Sequence, residues 1–302
     1  MKKGIALLIT LLFIISITFA IGLGLKQVKE ATYSAKEESF LIQTSIILDD
    51  VMTLLKNTKE IDLILKEKSP EILDMFLSSA SFIPFESSGI KMIIELSSAR
   101  AKFNPNTMVE LNTTLNVEIE NALKVYLNEY RINEDYVDLL KDCMSKVKQD
   151  MSYNTDIFNE KPYLFRDYIT SLKHFNEIND FYVALSREEY IRKVDFTKLF
   201  YFSKDRNYKI DLNQATPEVW KLLLGCDDTR AKQLSDDAGS YEKIQDLLLS
   251  DGEKMQLAHF KTDFFQPILE VKVEIMQNNM NAKIDFEYNM KTKRGSNFNY
   301  EI

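Results

Sequence analysis

The chain has few side chains suited to catalysis. Its 302 residues include only two histidines, His174 and His259, which lie in unrelated segments that are both expected to be helical. Catalysis needs a positioned acid, base or nucleophile, and neither a Gly-rich phosphate loop nor a Cys/His cluster with zinc spacing accompanies these residues. We interpret each histidine as a surface or satisfied core residue, and we expect the protein not to be an enzyme.

Paired aspartates and cysteines are the remaining candidates for chemistry. The aspartate pairs are Asp49-Asp50, Asp227-Asp228 and Asp236-Asp237. Adjacent aspartates of this kind are usually solvated helix caps or surface pairs. The two cysteines, Cys143 and Cys226, could form a disulfide in an oxidising compartment, but two cysteines are not a disulfide framework. The sequence leaves their pairing open.

The charge balance argues against a nucleic-acid partner. Lys and Arg number 38 against 46 Asp and Glu, which gives a formal net charge of -8. Duplex phosphates are bound by clustered Lys and Arg, so an acidic body disfavours them. The hydrophobic content of 45% is enough to bury a core, and the length leaves room for one large or two small domains.

The amino-terminal segment is predicted to be transmembrane. Residues 5–25 contain no charged residue and follow the basic leader Met1-Lys2-Lys3-Gly4. At ~1.5 Å per residue, a helix of that length just crosses the hydrocarbon core of a bilayer. The basic residues on the short flank favour a cytoplasmic amino terminus and an exported body.

Three interpretations of this segment remain open. The first is a plain signal anchor. The second is a cleaved secretory signal ending near Ala20, although the apolar run continues beyond that site. The third is a prepilin-type leader, in which basic residues end in Gly4 and the apolar helix begins at Ile5.

The next segment is predicted to be one long helix from Gln27 to about Lys68, without a Gly or Pro break. Four apolar residues recur on it at spacings of three, four and seven: Leu41, Leu48, Met52 and Leu55. This spacing predicts a stripe that faces a sheet or partner helices. Ser69 and Pro70 then provide an N-cap and a first-turn proline for a new helix.

The middle of the chain is predicted to be mainly helical. Before it come a turn at 83–89, a strand at 90–96 and a short second strand at 101–106. Helices are expected at 117–130, 136–148 and 163–172. Thr216 and Pro217 predict a capped helix that Gly225 ends, with Asp227 or Asp228 capping the next helix. Trp220, on the first of these two helices, is expected to anchor the core.

The end of the chain alternates apolar and polar residues in three runs. The apolar positions are Leu269, Val271, Val273 and Ile275; then Ile284, Phe286 and Tyr288; then Phe298, Tyr300 and Ile302. This pattern predicts a three-stranded antiparallel meander with one buried face. A meander and the strand near Ile90 are too small to be stable separately, so one sheet interrupted by a helical insertion is expected.

The expected fold is therefore α+β, with a long amino-terminal helix packed on a small antiparallel sheet and a large all-α insertion. We assign a leader to residues 1–4 and the transmembrane part of the helix to 5–25. Residues 26–112 carry the rest of the helix and the first strands. The helical insertion covers 113–264, and residues 265–302 complete the sheet.

Four segments in this order carry a family resemblance. They are Lys3-Gly4-Ile5-Ala6-Leu7-Leu8, Ile90 to Glu95 leading to Lys102-Phe103-Asn104-Pro105-Asn106, Lys209 to Val219, and the terminal strands. The chain resembles the K-type minor pseudopilin of the bacterial type II secretion system. The resemblance implies cleavage by prepilin peptidase between Gly4 and Ile5, N-methylation of Ile5, and a single-pass protein of the inner membrane with a periplasmic body.

The resemblance also implies partners. They are the I-type and J-type minor pseudopilins, the inner-membrane assembly platform and membrane lipid. Structural calcium is implied as well, although no loop has a recognisable ligand spacing. Most prepilins carry Glu five residues after the cleavage point, where this chain has Ile9. K-type subunits share that absence, which implies a position at the filament tip, where no neighbouring subunit lies above.

Two alternatives accompany this assignment. The segment from Leu222 to Leu234 faintly resembles a helix-hairpin-helix, which would suit a membrane-tethered DNA-binding or uptake protein. The hairpin lacks its second glycine, and Arg230 and Lys232 are outnumbered by neighbouring aspartates that would repel phosphate. A type IV minor pilin is the other alternative.

Overall fold

The computed structural model describes residues 36–87, 89–109, 115–148, 150, 152–278 and 280–301. The leader, the predicted transmembrane segment and the residues Gly4, Ile5 and Ile9 lie outside the described residues. Within the described ranges, no helix is both long and apolar enough to cross a membrane.

The amino-terminal helix ends earlier than the sequence predicts. Helix α1 covers residues 36–57, and α2 follows at Lys59–Glu67. Thr58 separates them with an extended ψ of 119°, while its hydroxyl donates to the Leu54 carbonyl at 2.8 Å. A Thr side chain that bonds to the preceding turn offers the backbone an alternative to the helix. The predicted single helix to Lys68 is therefore wrong at this point.

Helix α3 covers Pro70–Ala80 and confirms the predicted start signal. The Ser69 side chain accepts a hydrogen bond from the Ile72 amide at 3.3 Å, and Pro70 occupies the first turn. Ser69 thus satisfies one of the backbone donors that every helix start leaves free.

Five antiparallel strands form the main sheet. They are β1 (Phe82–Ser87), β2 (Ile90–Ser98), β5 (Ile268–Gln277), β6 (Met280–Asn289) and β7 (Arg294–Glu301), in the order β1-β2-β5-β6-β7. Two short strands of the insertion, β3 (Ile210–Asp211) and β4 (Thr262–Asp263), pair in parallel. The pairing of β2 with β5 confirms one sheet interrupted in sequence by helices.

The carboxyl-terminal meander is confirmed in strand order, and its buried face is confirmed for β5 and β6, whereas Phe298 and Tyr300 of β7 are 40% and 52% exposed. Alternate residues of β5 and β6 are buried on one face: Leu269, Val271, Val273, Ile275, Ala282, Ile284, Phe286 and Tyr288. They form one core with buried residues of α1 to α3: Phe40, Val51, Leu55, Ile61, Ile64, Leu73 and Leu77. The chain therefore has the α+β fold that the pattern predicts.

Two predictions near the first strands are wrong. The segment 83–89 was expected to be a turn, but most of it belongs to β1. Pro84 is tolerated there because β1 is an edge strand. A proline has no amide hydrogen to donate, and the outer side of an edge strand has no neighbouring strand that would accept one. The predicted strand at 101–106 is instead a single bridge between Phe103 and Phe200, followed by a 3-10 turn at Pro105–Met108.

The insertion is built from short helices. They are α4 (Val117–Asn128), α5 (Asp135–Cys143), α6 (Ile157–Glu160), α7 (Leu172–Ser186), α8 (Phe196–Leu199), α9 (Pro217–Leu224), α10 (Asp228–Asp236) and α11 (Asp251–Leu257). Two further 3-10 turns lie at Glu189–Lys193 and Ile244–Leu247. Their apolar residues form a second core, in which Trp220 is fully buried, as predicted.

The helix boundaries in the insertion divide into confirmed and wrong predictions. Thr216 accepts from the Val219 amide at 3.2 Å, and Gly225 ends α9 with a φ of 61°. Asp227 caps α10 through the Arg230 amide at 2.8 Å. The predicted helix at 163–172 is wrong, because Asp167 has a left-handed φ of 86° and α7 begins only at Leu172.

The turn between β6 and β7 holds the end of α1. Lys293 Nζ donates to the Lys56 carbonyl at 3.0 Å and lies 2.7 Å from Asp62 Oδ1. A cation near the last carbonyls of a helix is favourable, because those groups carry partial negative charge. Lys293 therefore connects the sheet to both sides of the helix break.

Gly295 of β7 allows α1 to approach the sheet closely. A Cβ atom at this position would lie 2.6 Å from Phe298 Cζ and 3.1 Å from Met52 Cε. Both distances are shorter than ordinary contacts between carbon atoms. The side chain of Met52 therefore packs over a strand position that tolerates no side chain without rearrangement.

Replacing Gly295 with Ala should lower the free energy of unfolding by about 1 kcal/mol, because the Phe298 ring and the Met52 methyl must move. Urea unfolding followed by circular dichroism measures the change. Gly252→Ala is the matched control, since Gly252 lies in α11 and, apart from its chain neighbours and the backbone of its own helix, no described residue has a heavy atom within 4 Å of the added carbon. It should leave stability unchanged or raise it by about 0.5–1 kcal/mol. Equal stability of Gly295→Ala and wild type would contradict the packing described.

Candidate functional site

The four residues of the predicted α1 stripe do not share one environment. Leu55 is 2% exposed inside the core, whereas Leu41 is 45% exposed. Leu48 and Met52 are half-buried at the margin of the core. The fully buried row of α1 is instead Phe40, Thr44, Val51 and Leu55. Leu55 thus faces the sheet, Leu41 faces solvent, and the assignment of the stripe to a partner interface stays a prediction.

The outer face of α1 carries an apolar pair that the sequence reasoning missed. Ile42 and Ile46 are each 56% exposed, and their spacing of four places them on the same side of the helix. This spacing was readable in the sequence. It was overlooked because leucines and isoleucines occur on almost every side of this helix, which leaves its register ambiguous.

A buried ion pair lies where β2 leaves the sheet. The Arg100 Nη2 atom is 3.1 Å from Glu287 Oε2 of β6, and both side chains are at most 5% exposed. The guanidinium also stacks on Tyr208 of the insertion, 4.3 Å from the ring centroid. Arg100 therefore contacts both the sheet and the insertion. Removing one partner of such a pair typically costs about 3–5 kcal/mol, because the other charge stays buried.

Tyr208 extends this junction to the backbone. Its hydroxyl lies 2.7 Å from the carbonyl oxygens of both Ala99 and Lys102, which flank Arg100. Burial raises the pKa of Tyr208 above its ordinary value, so the phenol stays neutral and can donate. The contact fixes the first residues after β2 against the insertion.

The Asn-Pro-Asn segment after β2 is attached to the insertion by buried hydrogen bonds. Asn104 Nδ2 donates to the carbonyls of Ser203 and Asp205 at 2.8 and 3.1 Å. Asn106 donates to the Ile169 carbonyl at 2.9 Å and accepts from the Ile169 amide at 2.7 Å. Both asparagines are fully buried, so these amides replace the strand partners that the sequence led us to expect.

The Asp211-Leu212-Asn213 segment forms a second set of buried hydrogen bonds, to residues 239–241 and to residues 264–266 just before β5. Asn213 donates to the carbonyls of Tyr241 and Phe264, each at 2.8 Å. Its oxygen accepts from the amides of Gly239 and Tyr241 at 3.0 and 2.8 Å. Asp211 accepts from the Gln266 amide at 2.8 Å, immediately before β5. The two segments singled out by the family resemblance thus fix the insertion to the points where the chain leaves and re-enters the sheet.

The two histidines lie in different environments and have different neighbours. Burial lowers the pKa of His174, and its Nδ1 accepts from the Thr170 amide at 3.2 Å, which fits a neutral core residue. His259 Nε2 lies 4.0 Å from Glu118 Oε2, beside a cavity of about 40 Å³. A cavity of this size holds one or two waters at most.

Neither a metal cluster nor a disulfide is formed in the described part of the chain. No three His, Cys, Asp or Glu residues among those described are grouped so that they could hold a metal ion. The calcium implied by the resemblance therefore has no identified ligands here. Cys143 and Cys226 are both free thiols, and Cys143 is buried.

Basic side chains of the α9–α10 hairpin form ion pairs with acidic residues of the insertion. Lys221 Nζ lies 2.9 Å from Glu129 Oε2 and 2.7 Å from Asp228 Oδ1. Arg230 Nε pairs with Glu253 Oε1 at 3.1 Å. These acidic partners neutralise the cations that would otherwise be available for phosphate.

The chain was compared with protein-family models, curated proteins and solved structures. No family model and no curated protein matches the chain. A solved structure is similar in fold: a chain of the GspK-GspI-GspJ complex from the type 2 secretion system of enterotoxigenic Escherichia coli. The likeness covers 86% of this chain and 98% of that chain, with 12% sequence identity and a TM-score of 0.49.

Asp211 should make stability depend on pH in a definite direction. Burial raises its pKa to about 6, although amides of Gln266 and Asn213 bond to the carboxylate and oppose the shift. The unfolded residue titrates near ~3.9, so its stabilising contribution is complete below about pH 4. It is lost as the pH rises through about 6. Between pH 7 and pH 4, wild type should gain on the order of 2–3 kcal/mol relative to Asp211→Asn.

Denaturant unfolding of both proteins across this pH range measures the effect. Asp246→Asn is a control of opposite sign, because amides of Glu242 and Lys243 lower the pKa of this exposed carboxylate. The contribution of Asp246 is present at neutral pH and is lost on acidification. A stability difference between wild type and Asp211→Asn that is constant with pH would contradict the assignment.

Proposed function

We propose that this chain is a K-type minor pseudopilin of a type II secretion system, and that it caps the tip of the pseudopilus and supports protein export. The observation that carries the proposal is the split sheet. A helical insertion separates β2 from β5 in sequence, α1 covers the buried face, and the sequence upstream of α1 holds the charge-free segment 5–25 after Lys3-Gly4.

The surface of α1 supports an assembly role. One side of the helix is buried against the sheet, while Leu41, Ile42, Ile46 and Leu54 are each 45–56% exposed. A helix with apolar residues on its solvent side suits packing against further helices. We propose that the I-type and J-type minor pseudopilins provide these helices, and that prepilin peptidase and the inner-membrane platform act on the segment upstream.

The insertion supports a place at the end of a filament. Tyr208 of the insertion bonds to the Ala99 carbonyl at the end of β2 and stacks on Arg100, which pairs with Glu287 of β6. Asn297 of β7 also donates to Ser203 Oγ of the insertion. A large body attached so tightly occupies space that a subunit stacked above would need. Ile9, in place of the glutamate of ordinary prepilins, fits the same position, because a tip subunit has no upper neighbour whose amine requires a carboxylate.

We also propose a single-pass location in the inner membrane. The amino terminus would lie in the cytoplasm and the folded body in the periplasm, as the basic leader favours. The acidic charge and the internally paired cations of the hairpin support a protein-binding role over nucleic-acid binding.

The first residue of the mature protein tests the class. Cleavage between Gly4 and Ile5 should leave Ile5 as the amino terminus, with a methylated amine, and mass spectrometry of membrane-extracted protein detects it. Gly4→Leu should abolish the cleavage, because the peptidase must approach the backbone there, whereas Ala6→Gly is the control that should be cut normally. A mature protein that begins at Ile21 would indicate a secretory signal, and an intact Met1 a plain anchor.

Ile9 provides the test of the tip position. An unpaired carboxylate within the bilayer costs at least about 2.5 kcal/mol on insertion scales. Ile9→Glu should therefore be neutral or harmful for membrane insertion, for co-purification with the I-type and J-type subunits and for secretion. Ile9→Leu, which keeps the site apolar, should behave as wild type. Increased incorporation of Ile9→Glu along sheared pseudopili would show that the subunit belongs in the shaft.

A further inference from the structure

Strand β7 presents an unusual free edge. It pairs with β6 on one side, and no described strand pairs with it on the other. Every residue of β7 is exposed except Gly295, which is half-buried. The opposite edge strand, β1, contains Pro84, which removes a donor, whereas β7 contains no proline. Strand β7 is interrupted once by a bulge at Asn297, which has a φ of 54° and donates through Nδ2 to Ser203 Oγ of the insertion at 3.2 Å. The segments 294–296 and 299–301 on either side of the bulge are free edges, and such edges are templates for pairing with another chain.

The face of the sheet that is buried under the helices extends to β7, but the helices cover it there only in part. Phe298 stacks on Phe286 at 5.0 Å between ring centroids, and Tyr300 lies opposite Ile284 in the register. Phe286 and Ile284 are at most 1% exposed, but Phe298 is 40% and Tyr300 52% exposed. Two aromatic rings on the core face are therefore about half exposed to solvent, because the helices do not extend over this edge of the sheet.

The charges of β7 are complementary to those of a second copy. Arg294 begins the strand and Glu301 ends it, and neither side chain forms an ion pair within the described residues. Lys291 adds positive charge near the first end, whereas Lys293 is already paired with Asp62 of the same chain. Two β7 strands in antiparallel orientation would place Arg294 of each copy opposite Glu301 of the other, with opposite charges at both ends.

The same register also matches the two faces of the strand. Pairing Arg294 with Glu301 brings Ser296 opposite Asn299 and Gly295 opposite Tyr300. Arg294, Ser296, Asn299 and Glu301 lie opposite Asn289, Glu287, Asp285 and Lys283 of β6, on the face away from the core. Gly295 and Tyr300 lie opposite Tyr288 and Ile284, on the core face. Phe298 and Met52 of its own chain already cover Gly295, so Tyr300 of the other copy would pack beside these two side chains.

We propose that β7 pairs antiparallel with β7 of a second copy of this chain, so that the two sheets become continuous. Ion pairs between Arg294 and Glu301 fix the register, and the Phe298 and Tyr300 rings of both copies cover one another. A contact through a single strand edge is small, so the dimer is weak and forms at micromolar concentration or above. The inference does not depend on the proposed function.

Cysteine cross-linking of the full chain in its membranes tests the register. Differently tagged Ser296→Cys and Asn299→Cys chains are co-expressed in a Cys226→Ser background, in which the remaining Cys143 is buried. Directly opposed strand residues have Cα atoms about 4.5–5.5 Å apart, within reach of a disulfide. We expect a disulfide between the two tagged chains. Ser296→Cys with itself is the matched control and should not react, because three residues of offset separate the thiols by about 10 Å.

Charge reversal tests the ion pairs. Arg294→Glu or Glu301→Arg alone should lower the yield of the cross-link about fivefold, since like charges then oppose one another at both ends. The double variant should restore the yield, because each pair is re-formed with its signs exchanged. Circular dichroism melting of all variants checks that these exposed substitutions leave the fold intact.

Three results would overturn the proposal. One is the absence of the 296–299 cross-link in well-folded protein. Another is an equal yield for the Ser296→Cys self-pair, which would indicate random collision. The third is a cross-link from Ser296→Cys to a different protein without the 296–299 product, which would assign the edge to another occupant.

Discussion

The antiparallel ladder between β2 and β5 is the constraint on which the rest of the molecule depends. It joins Ser98 to Leu269, residues far apart in sequence, and so brings both ends of the insertion to one point of the sheet. Closing so long a loop costs entropy, although the cost grows only slowly with length. The insertion can meet that cost because it has its own apolar core around Trp220, separate from the core under the sheet.

Several buried polar contacts link the sheet to the insertion. Arg100 pairs with Glu287 of β6 and stacks on Tyr208, the Tyr208 hydroxyl bonds to the Ala99 carbonyl, and Asn104 donates to the Ser203 carbonyl. Such groups stabilise less than apolar packing would, because each must first be taken out of water. They do demand one geometry, since a buried amide that shifts loses its partners. The orientation of the insertion on the sheet is therefore specified by directional bonds.

The sequence predicted the fold where a local pattern and the tertiary structure agree. Alternation in β5 and β6 and the caps at Ser69, Thr216 and Asp227 are such cases. The prediction failed where the local structure depends on contacts with residues far away in the sequence. Asn104 and Asn106 find partners in residues 169–205, which no local pattern reveals.

The candidate interface on α1 was predicted only in part, for a related reason. Residues Leu41 and Leu55 fit one apolar stripe equally well, yet one is exposed and the other buried. A helix with apolar residues on several sides has no unique register until the sheet beneath it is known. The hydrophobic spacing could therefore indicate that α1 is an assembly element without indicating which of its faces is free.

The contact of Lys293 with both sides of the Thr58 break has a mechanical consequence. A pull along the axis of α1 reaches the Lys56 carbonyl and passes through Lys293 into the turn between β6 and β7. Strand β6, which leads into that turn, pairs with β5 along its whole length, and this ladder shares tension among many hydrogen bonds. Helix α2 is joined to this load path by the Thr58 backbone, by the ion pair of Asp62 with Lys293, and by Ile61 and Ile64, which enter the same core as Val51 and Leu55. The break is thus a point at which tension on α1 can leave the backbone and enter the sheet through a side chain as well as continue into α2.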